Sequence, residues 1–243
     1  MVLNDRGQVH DEVQTHDRVQ ALEKVLVIAG GEADIDFLKE YLKNQKISAV
    51  ICADAGLDTA AALGLSVDYA MGDFDSVSPQ GLEYYRKKPS VGQGTEFISY
   101  PPEKDATDLH LVLDWVVDKR PQEILIIGAT GRRLDHFLAS VNILMIPLEH
   151  GLPAYIIDGH NRLYLLKDSH VFRRSEVFGK YISLLPLTES VTGITLRGFK
   201  YNLENGEMRI GDSLGVSNEL AEGVRQASLE VGEGILIVVE SRD

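Results

Sequence analysis

Apolar residues along this chain follow two different periods, which alternate from Val25 onward. Short runs in which almost every residue is apolar indicate strands buried on both faces of a sheet. In chain order these predicted strands are VLVIA (25–29), AVICA (49–53), YAM (69–71), EFISY (96–100), EILIIG (123–128) and AYIID (154–158). Between them, apolar residues recur at helical spacing, at Ile35, Leu38, Tyr41 and Leu42, at Leu109, Val112, Leu113 and Val116, and at Phe137, Val141, Leu144 and Leu148. Strands that alternate with helices predict a parallel α/β sheet.

The pattern changes after about Leu166, where short β-rich runs separated by Gly, Asn and Asp replace the helical spacing. These runs are YISLLPL (181–187), TGITLRGFKYNL (192–203), EMRIG (207–211), VRQASLEV (224–231) and GILIVVE (234–240). The triplets Glu204-Asn205-Gly206 and Gly232-Glu233-Gly234 predict turns between extended segments, because they supply residues that tolerate positive φ. The C-terminal part is therefore predicted to be an antiparallel sandwich or barrel.

The chain thus divides into a polar, aperiodic leader at 1–20, an α/β domain at 21–166 and a β domain at 167–243. The sequence contains no repeat and no low-complexity linker, so we expect the two domains to pack closely. In an open parallel sheet, ligands bind beyond the carboxyl ends of the strands. Polar residues that directly follow the strands are therefore the candidates for function.

Composition limits the compartment and the class of protein. With 243 residues, of which 44% are hydrophobic, the chain can bury a core and is not a disordered polymer. Its single cysteine, Cys52, lies in an apolar run, which indicates a core thiol in a reducing compartment. No apolar run approaches the roughly 20 residues that a bilayer span requires, and the N-terminus lacks the apolar stretch of a secretion signal. We therefore predict a cytoplasmic protein with no membrane partner.

The formal net charge of −13 argues against a nucleic-acid partner, because phosphate backbones are bound mainly by clustered Lys and Arg. An acidic protein that handles a phosphorylated compound needs metal ions to bridge carboxylate and phosphate. Acidic residues that follow the strands are therefore candidate metal ligands.

The first acidic segment is Gly72-Asp73-Phe74-Asp75-Ser76, directly after the predicted strand at 69–71. In an extended chain alternate residues point the same way, so Asp73 and Asp75 are expected to converge on one hard cation. Gly72 lets the backbone approach a phosphate closely. The competing interpretation is a capped turn, since Asp and Ser are common turn residues.

The second acidic segment, Glu103-Lys104-Asp105-Ala106-Thr107-Asp108, precedes a predicted helix. Thr107 could be the N-cap of that helix, and Asp108 would favour the positive end of the helix dipole. Helix capping explains Thr107 and Asp108 but gives no structural role to Glu103 or Asp105. Two acidic segments that follow strands of one sheet favour a shared Mg²⁺ site.

The third segment, Gly128-Ala129-Thr130-Gly131-Arg132-Arg133-Leu134-Asp135-His136, follows an apolar strand and begins a helix. Its glycines expose backbone N–H groups, and Arg132 or Arg133 could pair with phosphate oxygens at the helix N-terminus. It is a poor dinucleotide fingerprint because Leu134 occupies the place of the final glycine, so NAD is disfavoured. His136 is either a helix-start histidine bonded locally to Asp135 or a ligand contact.

In this order, GDFDS (72–76), EKDATD (103–108) and GRRLDH (131–136) resemble the segments that line the ATP and metal site in the bacterial thiamine pyrophosphokinase family. The resemblance begins at Ala53-Asp54-Ala55-Gly56, includes Asp158-Gly159-His160-Asn161 and ends at Gly215-Val216-Ser217-Asn218-Glu219, within a span of residues 25–240. It implies a nucleotide-binding, catalytic α/β domain, a C-terminal β-sandwich and a homodimer. It also implies Mg²⁺-dependent transfer of the pyrophosphoryl group of ATP to the hydroxyl of thiamine, with AMP leaving.

The resemblance also implies roles for particular residues of this sequence. The implied metal and phosphate centre consists of Asp73, Asp75 and Asp108, with Asp105 beside it. The nucleotide side would include Arg132 and Asp135, and the thiamine pocket Tyr201, Ser217 and Asn218. The predicted binding set is completed by Asp54, Gly72, Ser76, Thr107, Gly131, His136 and Asn161.

Three alternatives compete with this interpretation. The run from Asp73 to Val77 also resembles the nucleophile motif of haloacid-dehalogenase-like phosphatases, but Gly72 separates it from the strand and the sequence shows no convincing downstream acidic pair. A pyrophosphokinase for a hydroxymethylpterin is disfavoured by GVSNE (215–219), and a non-catalytic nucleotide sensor by the intact acidic residues. Because the metal motifs lie in the α/β half and the thiamine loop in the β half, we predict active sites shared between the two subunits of a homodimer.

Overall fold

The computed structural model describes residues 22–87, 94–100, 105–131 and 133–243, and the predicted leader at 1–20 lies outside them. In chain order the strands are β1 Lys24–Ile28, β2 Ala49–Ala53, β3 Tyr69–Gly72, β4 Glu96–Ser99, β5 Glu123–Ile127, β6 Ala154–Ile157, β7 Asn161–Leu166, β8 His170–Arg173, β9 Tyr181–Pro186, β10 Ser190–Arg197, β11 Leu203–Arg209, β12 Gln226–Glu230 and β13 Leu236–Ser241. The helices are α1 Ile35–Leu42, α2 Gly56–Leu63, α3 Pro79–Lys87, α4 Asp108–Asp118, α5 Leu134–Ile143 and α6 Met145–Glu149.

The larger sheet has the order β4-β3-β2-β1-β5-β6-β7-β13-β9 among the described strands. Its first part, from β4 to β6, is parallel throughout. The remaining strands β7, β13 and β9 pair antiparallel with their neighbours. The predicted strands of the N-terminal half are thus confirmed, and so is their parallel arrangement.

Helices cover both faces of the parallel part, because its strands are apolar on both sides. In β1, Val25 and Val27 face the core beneath α4, α5 and α6, whereas Leu26 and Ile28 face the core beneath α1, α2 and α3. All four side chains are fully buried. This explains why the strand is an uninterrupted apolar run.

The starts of α1 and α4 are fixed by side-chain caps, and the sequence predicts the cap of α4. Thr107 accepts a hydrogen bond from the His110 N–H at 3.3 Å and is the N-cap of α4. Asp34 caps α1 in the same way, accepting from the Phe37 N–H at 3.0 Å. In the described part of the chain, no helix has the length and apolar character needed to cross a bilayer.

A second sheet, in the order β11-β10-β12-β8, packs against the β7-β13-β9 part of the larger sheet. Phe172, Ile194, Leu229 and Val238 are among the buried side chains of the core between them. The predicted C-terminal β-sandwich is confirmed, and one of its two layers is the end of the large sheet. The boundary between 166 and 167 stays a prediction, since β7, β13 and β9 from both sides of it pair within one sheet.

A buried carboxylate ties three segments of this region together. Glu240 on β13 is 1% exposed and accepts hydrogen bonds from Arg162 Nη2 at 2.6 Å and the Tyr164 hydroxyl at 2.9 Å, both on β7. It also accepts from the Phe178 N–H at 2.6 Å, which holds the segment before β9. The network therefore fixes the junction between the parallel sheet and the sandwich.

The predicted turn at Glu204-Asn205-Gly206 is wrong, because these residues lie inside β11. The chain reverses earlier, between β10 and β11, where Gly198 has a φ of +78°. Asn205 does adopt a positive φ of +45°, but it does so where the β10–β11 register shifts. The Asn-Gly pair thus forms an irregularity within a strand. The predicted turn at 232–234 does lie between β12 and β13, with Gly234 at a φ of +102°.

Candidate active site

A cavity opens at the carboxyl edge of the parallel strands. In the sheet β1 has β2 on one side and β5 on the other, and in open α/β sheets a ligand crevice forms at such a point. The cavity has a volume of about 700 Å³ and lies between the segments that follow β1, β2 and β5 and the first turns of α4 and α5. This volume is in the usual range for small-molecule sites.

The structure brings residues from separately predicted segments to this one cavity. The predicted site residues that line it are Asp54, Ser76, Thr107, Asp108, Gly131, Asp135 and His136. They come from four places in the α/β half: the segment after β2, the segment after β3, the start of α4 and the start of α5. Their convergence is what the strand-end rule leads us to expect.

Four carboxylates form an acidic cluster that consists of Asp54, Asp73, Asp75 and Asp108. Asp54 and Asp108 line the cavity, whereas Asp73 and Asp75 are not among the described residues that line it. Carboxylate oxygens of Asp54, Asp73 and Asp75 all lie within 4.8 Å of one another. Asp108 is also close, since its Oδ1 lies 3.3 Å from the position that a Cβ on Gly72 would occupy. The predicted metal set omitted Asp54, which the structure places with Asp73 and Asp75.

Strand pairing explains why these residues meet. Asp54 follows β2 directly and its N–H donates to the Met71 carbonyl of β3 at 2.9 Å, which continues the β2–β3 pairing. On the other side of β3, the Tyr100 N–H donates to the Gly72 carbonyl at 3.1 Å. Three neighbouring strands therefore end together beneath the cluster.

The backbone around the cluster is not extended, so the expected reason for the convergence of Asp73 and Asp75 is wrong. Phe74, between them, has a φ of +62°, and the Asp75 N–H donates to Asp73 Oδ1 at 3.3 Å. The two carboxylates are brought together by a tight left-handed turn. Asp54 is also left-handed, with a φ of +43°. Such conformations in residues other than glycine cost on the order of 1–3 kcal/mol and concentrate at functional sites.

The electrostatics of the cluster fit a divalent cation. Burial raises the pKa of the Asp54 carboxyl, and the nearby Asp108, Asp73 and Asp75 carboxylates raise this pKa further. Asp54 Oδ1 is buried and has no hydrogen-bond partner among the described residues. A hard cation such as Mg²⁺ would give that oxygen a partner and offset the repulsion, so the residues fit the predicted metal.

The sequence predictions missed one wall of the cavity, formed by Gly30, Gly31 and Glu32 in the segment that follows β1. The Gly31 N–H donates to the Gly128 carbonyl at 2.8 Å, and a Cβ on Gly31 would lie 2.3 Å from that oxygen. Glycine is therefore required where the two strand-end segments touch. The pair of glycines after an apolar strand was the signal that could have identified this wall.

At the α5 side, Gly131 and His136 line the cavity, as does Asp135. Asp135 forms an exposed ion pair with Arg133, with Nη2 and Oδ2 2.6 Å apart, and this hydrogen bond lowers the pKa of the Asp135 carboxyl. The predicted Arg132 lies outside the described residues.

The remaining predicted residues of the α/β half differ in position. Ser76 reaches the cavity and its hydroxyl donates to Asp75 Oδ1 at 2.7 Å. Asp105 is exposed and is not among the described residues that line the cavity. Asn161 is in β7, where its side-chain amide donates to Asp158 Oδ1 at 3.0 Å.

The predicted thiamine residues lie in the sandwich. Tyr201 is 63% exposed, and its backbone is held by the buried Asn218 amide: the Tyr201 N–H donates to Asn218 Oδ1 at 3.1 Å, and Asn218 Nδ2 donates to the Tyr201 carbonyl at 2.8 Å. Ser217 has a φ of +56°, and its N–H donates to Ser183 Oγ at 3.0 Å. None of the described residues that line the cavity belongs to the sandwich.

Comparison with protein families and known proteins gives one consistent result. A family described as "Thiamin pyrophosphokinase, catalytic domain" matches residues 38–156, and one described as "Thiamin pyrophosphokinase, vitamin B1 binding domain" matches residues 169–236. A thiamine pyrophosphokinase of Bacillus subtilis is 32% identical over 223 residues, which cover 91% of this chain and 100% of that protein.

Solved structures agree over the same length. The crystal structure of thiamine pyrophosphokinase from Bacillus subtilis matches with a TM-score of 0.80 at 31% identity, covering 91% of this chain and 100% of the other. That of thiamin pyrophosphokinase from Geobacillus thermodenitrificans matches with a TM-score of 0.77 at 29% identity, covering 90% and 98%.

Proposed function

This chain belongs to the thiamine pyrophosphokinase family, and from that premise we propose that its acidic cluster holds Mg²⁺–ATP for pyrophosphoryl transfer to thiamine. Its substrates are those of the family, ATP and thiamine. The observation that carries the metal assignment is that carboxylate oxygens of Asp54, Asp73 and Asp75 lie within 4.8 Å of one another, and Asp54 also lines the cavity.

In the reaction the hydroxyl oxygen of thiamine loses its proton and forms a bond to the β-phosphorus of ATP. The bond between that phosphorus and the oxygen bridging to the α-phosphate breaks, and AMP leaves. Such transfer depends on positioning and on neutralising charge. When bound, Mg²⁺ supplies that neutralisation. The carboxylates of Asp54, Asp73 and Asp75, with Asp108 beside them, would hold it, since hard cations prefer carboxylate oxygens.

The rest of the cavity suits the nucleotide. Gly31 and Gly128 let the segments after β1 and β5 touch and form one wall of the crevice, and Gly131 precedes the N-terminus of α5. Backbone N–H groups at a helix N-terminus favour phosphate oxygens. We place ATP in this crevice with its phosphates directed towards the acidic cluster.

Replacing Asp73 with asparagine tests the assignment. The variant keeps the size of the side chain but removes a negative charge that balances the metal, so AMP formation from ATP, Mg²⁺ and thiamine should collapse while the fold persists. Asp36→Asn is a matched control, since Asp36 is an exposed aspartate in the first turn of α1. Turnover of Asp73→Asn close to that of the control would refute the assignment. Hydroxymethylpterin in place of thiamine should yield no AMP.

We further propose that two chains form a homodimer with shared active sites. The supporting observation is that the cavity is lined by the α/β half alone among the described residues, whereas Tyr201 and Ser217 lie in the sandwich. Twofold symmetry would create two equivalent sites, each with the metal side of one chain and the thiamine side of its partner.

Complementation between two inactive variants tests this arrangement. Asp73→Ala disables the metal side and Ser217→Trp blocks the thiamine side. If sites are shared, a mixed dimer carries both lesions in one site and leaves the other intact. Random pairing makes half of the dimers mixed, so equal co-refolding should restore roughly a quarter of the activity. No recovery, after size analysis has verified mixed dimers, would refute shared sites.

The net charge of −13 supports a further proposal, that the enzyme has no nucleic-acid partner. The single buried thiol of Cys52 supports a reducing, cytoplasmic location. Retention of the purified enzyme on a heparin column at physiological salt would contradict the first statement.

A further inference from the structure

We propose that Asp58 is a positioning residue that holds the loop carrying Asp73 and Asp75 in register with Asp54, and thereby sets the affinity of the acidic cluster for its metal ion. The inference rests on the proposed metal site. It concerns a residue outside the cavity lining, half-buried in the first turn of α2.

Asp58 joins the start of α2 to the start of α3. Its Oδ2 accepts from the Ser78 N–H at 2.9 Å and its Oδ1 from the Ser78 hydroxyl at 2.5 Å. The Ser78 hydroxyl in turn accepts from the Gly81 N–H at 3.0 Å, in the manner of a helix N-cap.

The arrangement is a capping box completed by another helix. In an ordinary capping box a Glu or Gln three residues after the cap accepts from the N–H of the cap residue. Here that position is Gly81, which has no side chain, and a Cβ there would lie 2.1 Å from Asp58 Oδ1. Asp58 therefore occupies the space and takes over the hydrogen bond of the missing side chain.

The consequence lies in what the two joined segments carry. Asp54 lies two residues before the first residue of α2, and the loop 73–77 immediately precedes Ser78. One end of this loop is fixed by the pairing of β3, and the other end is fixed by Asp58. The left-handed residues Asp54 and Phe74 lie within the segments held in this way. Such strained conformations persist only when the surroundings restrain them.

Removing the Asp58 carboxylate should therefore loosen the spacing of the metal ligands without removing any of them. Loss of groups that orient metal ligands typically weakens metal binding by about 10–100-fold. Since Asp58 acts through the backbone of the loop, we expect the lower end, a roughly tenfold weaker affinity.

Mn²⁺ binding to the whole enzyme, measured by the electron paramagnetic resonance signal of free Mn²⁺, tests the inference directly. Asp58→Ala should raise the dissociation constant roughly tenfold. Asp34→Ala is the matched control, because Asp34 also caps a helix start but not the metal loop, and its dissociation constant should stay within about twofold of the parent. Should Asp58→Ala fail to fold, Asp58→Asn and Ser78→Ala remove parts of the same link.

Turnover at varied Mg²⁺ gives a second measurement that a general loss of structure would not reproduce. In Asp58→Ala the half-activating Mg²⁺ concentration should rise roughly tenfold while turnover at saturating Mg²⁺ is retained. Unchanged Mn²⁺ affinity in the Asp58 variants, or an equal loss in Asp34→Ala, would overturn the inference. If Asp73→Asn also leaves Mn²⁺ binding unchanged, the proposed metal site itself fails.

Discussion

Replacing Gly72 by alanine should impair the acidic cluster in addition to destabilising the fold. Gly72 has a φ of +152°, and a Cβ there would lie 3.2 Å from the Cα of Asp54 and 3.3 Å from Asp108 Oδ1. From the sequence, Gly72 is expected to let the backbone approach a phosphate closely. The structure adds a second reason, since Gly72 lies against both the Cα of Asp54 and the Asp108 carboxylate.

The size of the effect follows from these contacts. Backbone strain at such a position costs on the order of 1–3 kcal/mol. The two aspartates would have to move by a few tenths of an ångström to relieve the contacts. Because a misplacement of about 1 Å can cost 10²-fold in rate, this movement predicts about fivefold to tenfold lower turnover.

Gly64→Ala is a matched control. Gly64 has a φ of +72° at the C-terminus of α2, and a Cβ there would meet nothing within 4 Å. The Gly64→Ala variant should therefore lose about 1–2 kcal/mol of folding free energy through conformational strain alone, and its turnover should be unchanged. Thermal unfolding and AMP formation at varied Mg²⁺ measure the two effects. If Gly72→Ala matches Gly64→Ala in turnover and Mg²⁺ dependence, the cluster does not depend on this spacing.

Three other expected outcomes test the remainder of the structure. Glu240→Gln should lower the free energy of unfolding, measured with urea, by about 3 kcal/mol, because it leaves the Arg162 charge without its buried partner. A loss under about 1 kcal/mol would contradict the network. Burial lowers the pKa of His170, so the unfolded chain takes up this proton at higher pH than the folded one, and stability falls as the pH drops below about 6.5. His170→Gln should therefore lose less stability than the parent between about pH 7 and pH 5, and parallel losses would refute this. Trp115 is partly buried against the core and packs on Tyr69 with ring centroids 4.6 Å apart, so its fluorescence should be at short wavelength and insensitive to thiamine. Strong quenching by thiamine without unfolding would contradict this packing.

The elements of the α/β half were predictable from sequence because burial on both faces leaves an unambiguous pattern. β1 and β5 are apolar at nearly every position, and α4 is apolar at helical spacing. The β half gave a weaker signal. The Asn205-Gly206 pair has the composition of a turn, yet it forms an irregularity inside β11, since positive φ serves either structure. Local composition does not distinguish the two.

For the site, single segments were predictable but their partners were not. Asp73 and Asp75 could be identified as a pair because they are close in sequence. The position of Asp54 beside them depends on the pairing of β2 with β3, which is a long-range feature that the sequence does not display. The wall formed by Gly30 and Gly31 was within reach of the strand-end rule, because these residues follow an apolar strand directly.

The choice of aspartate at position 54 is not explained by folding. Its φ of +43° would be adopted more easily by glycine, and its buried Oδ1 has no hydrogen-bond partner among the described residues. Its charge is also opposed by Asp73, Asp75 and Asp108. Strain, an unsatisfied oxygen and like-charge repulsion at one residue all disfavour the metal-free fold, and such local conflicts concentrate at functional sites. A bound cation would remove the second and third of these costs at once, whereas a capped turn would remove neither. Asp54 is therefore better understood as a ligand than as a turn residue.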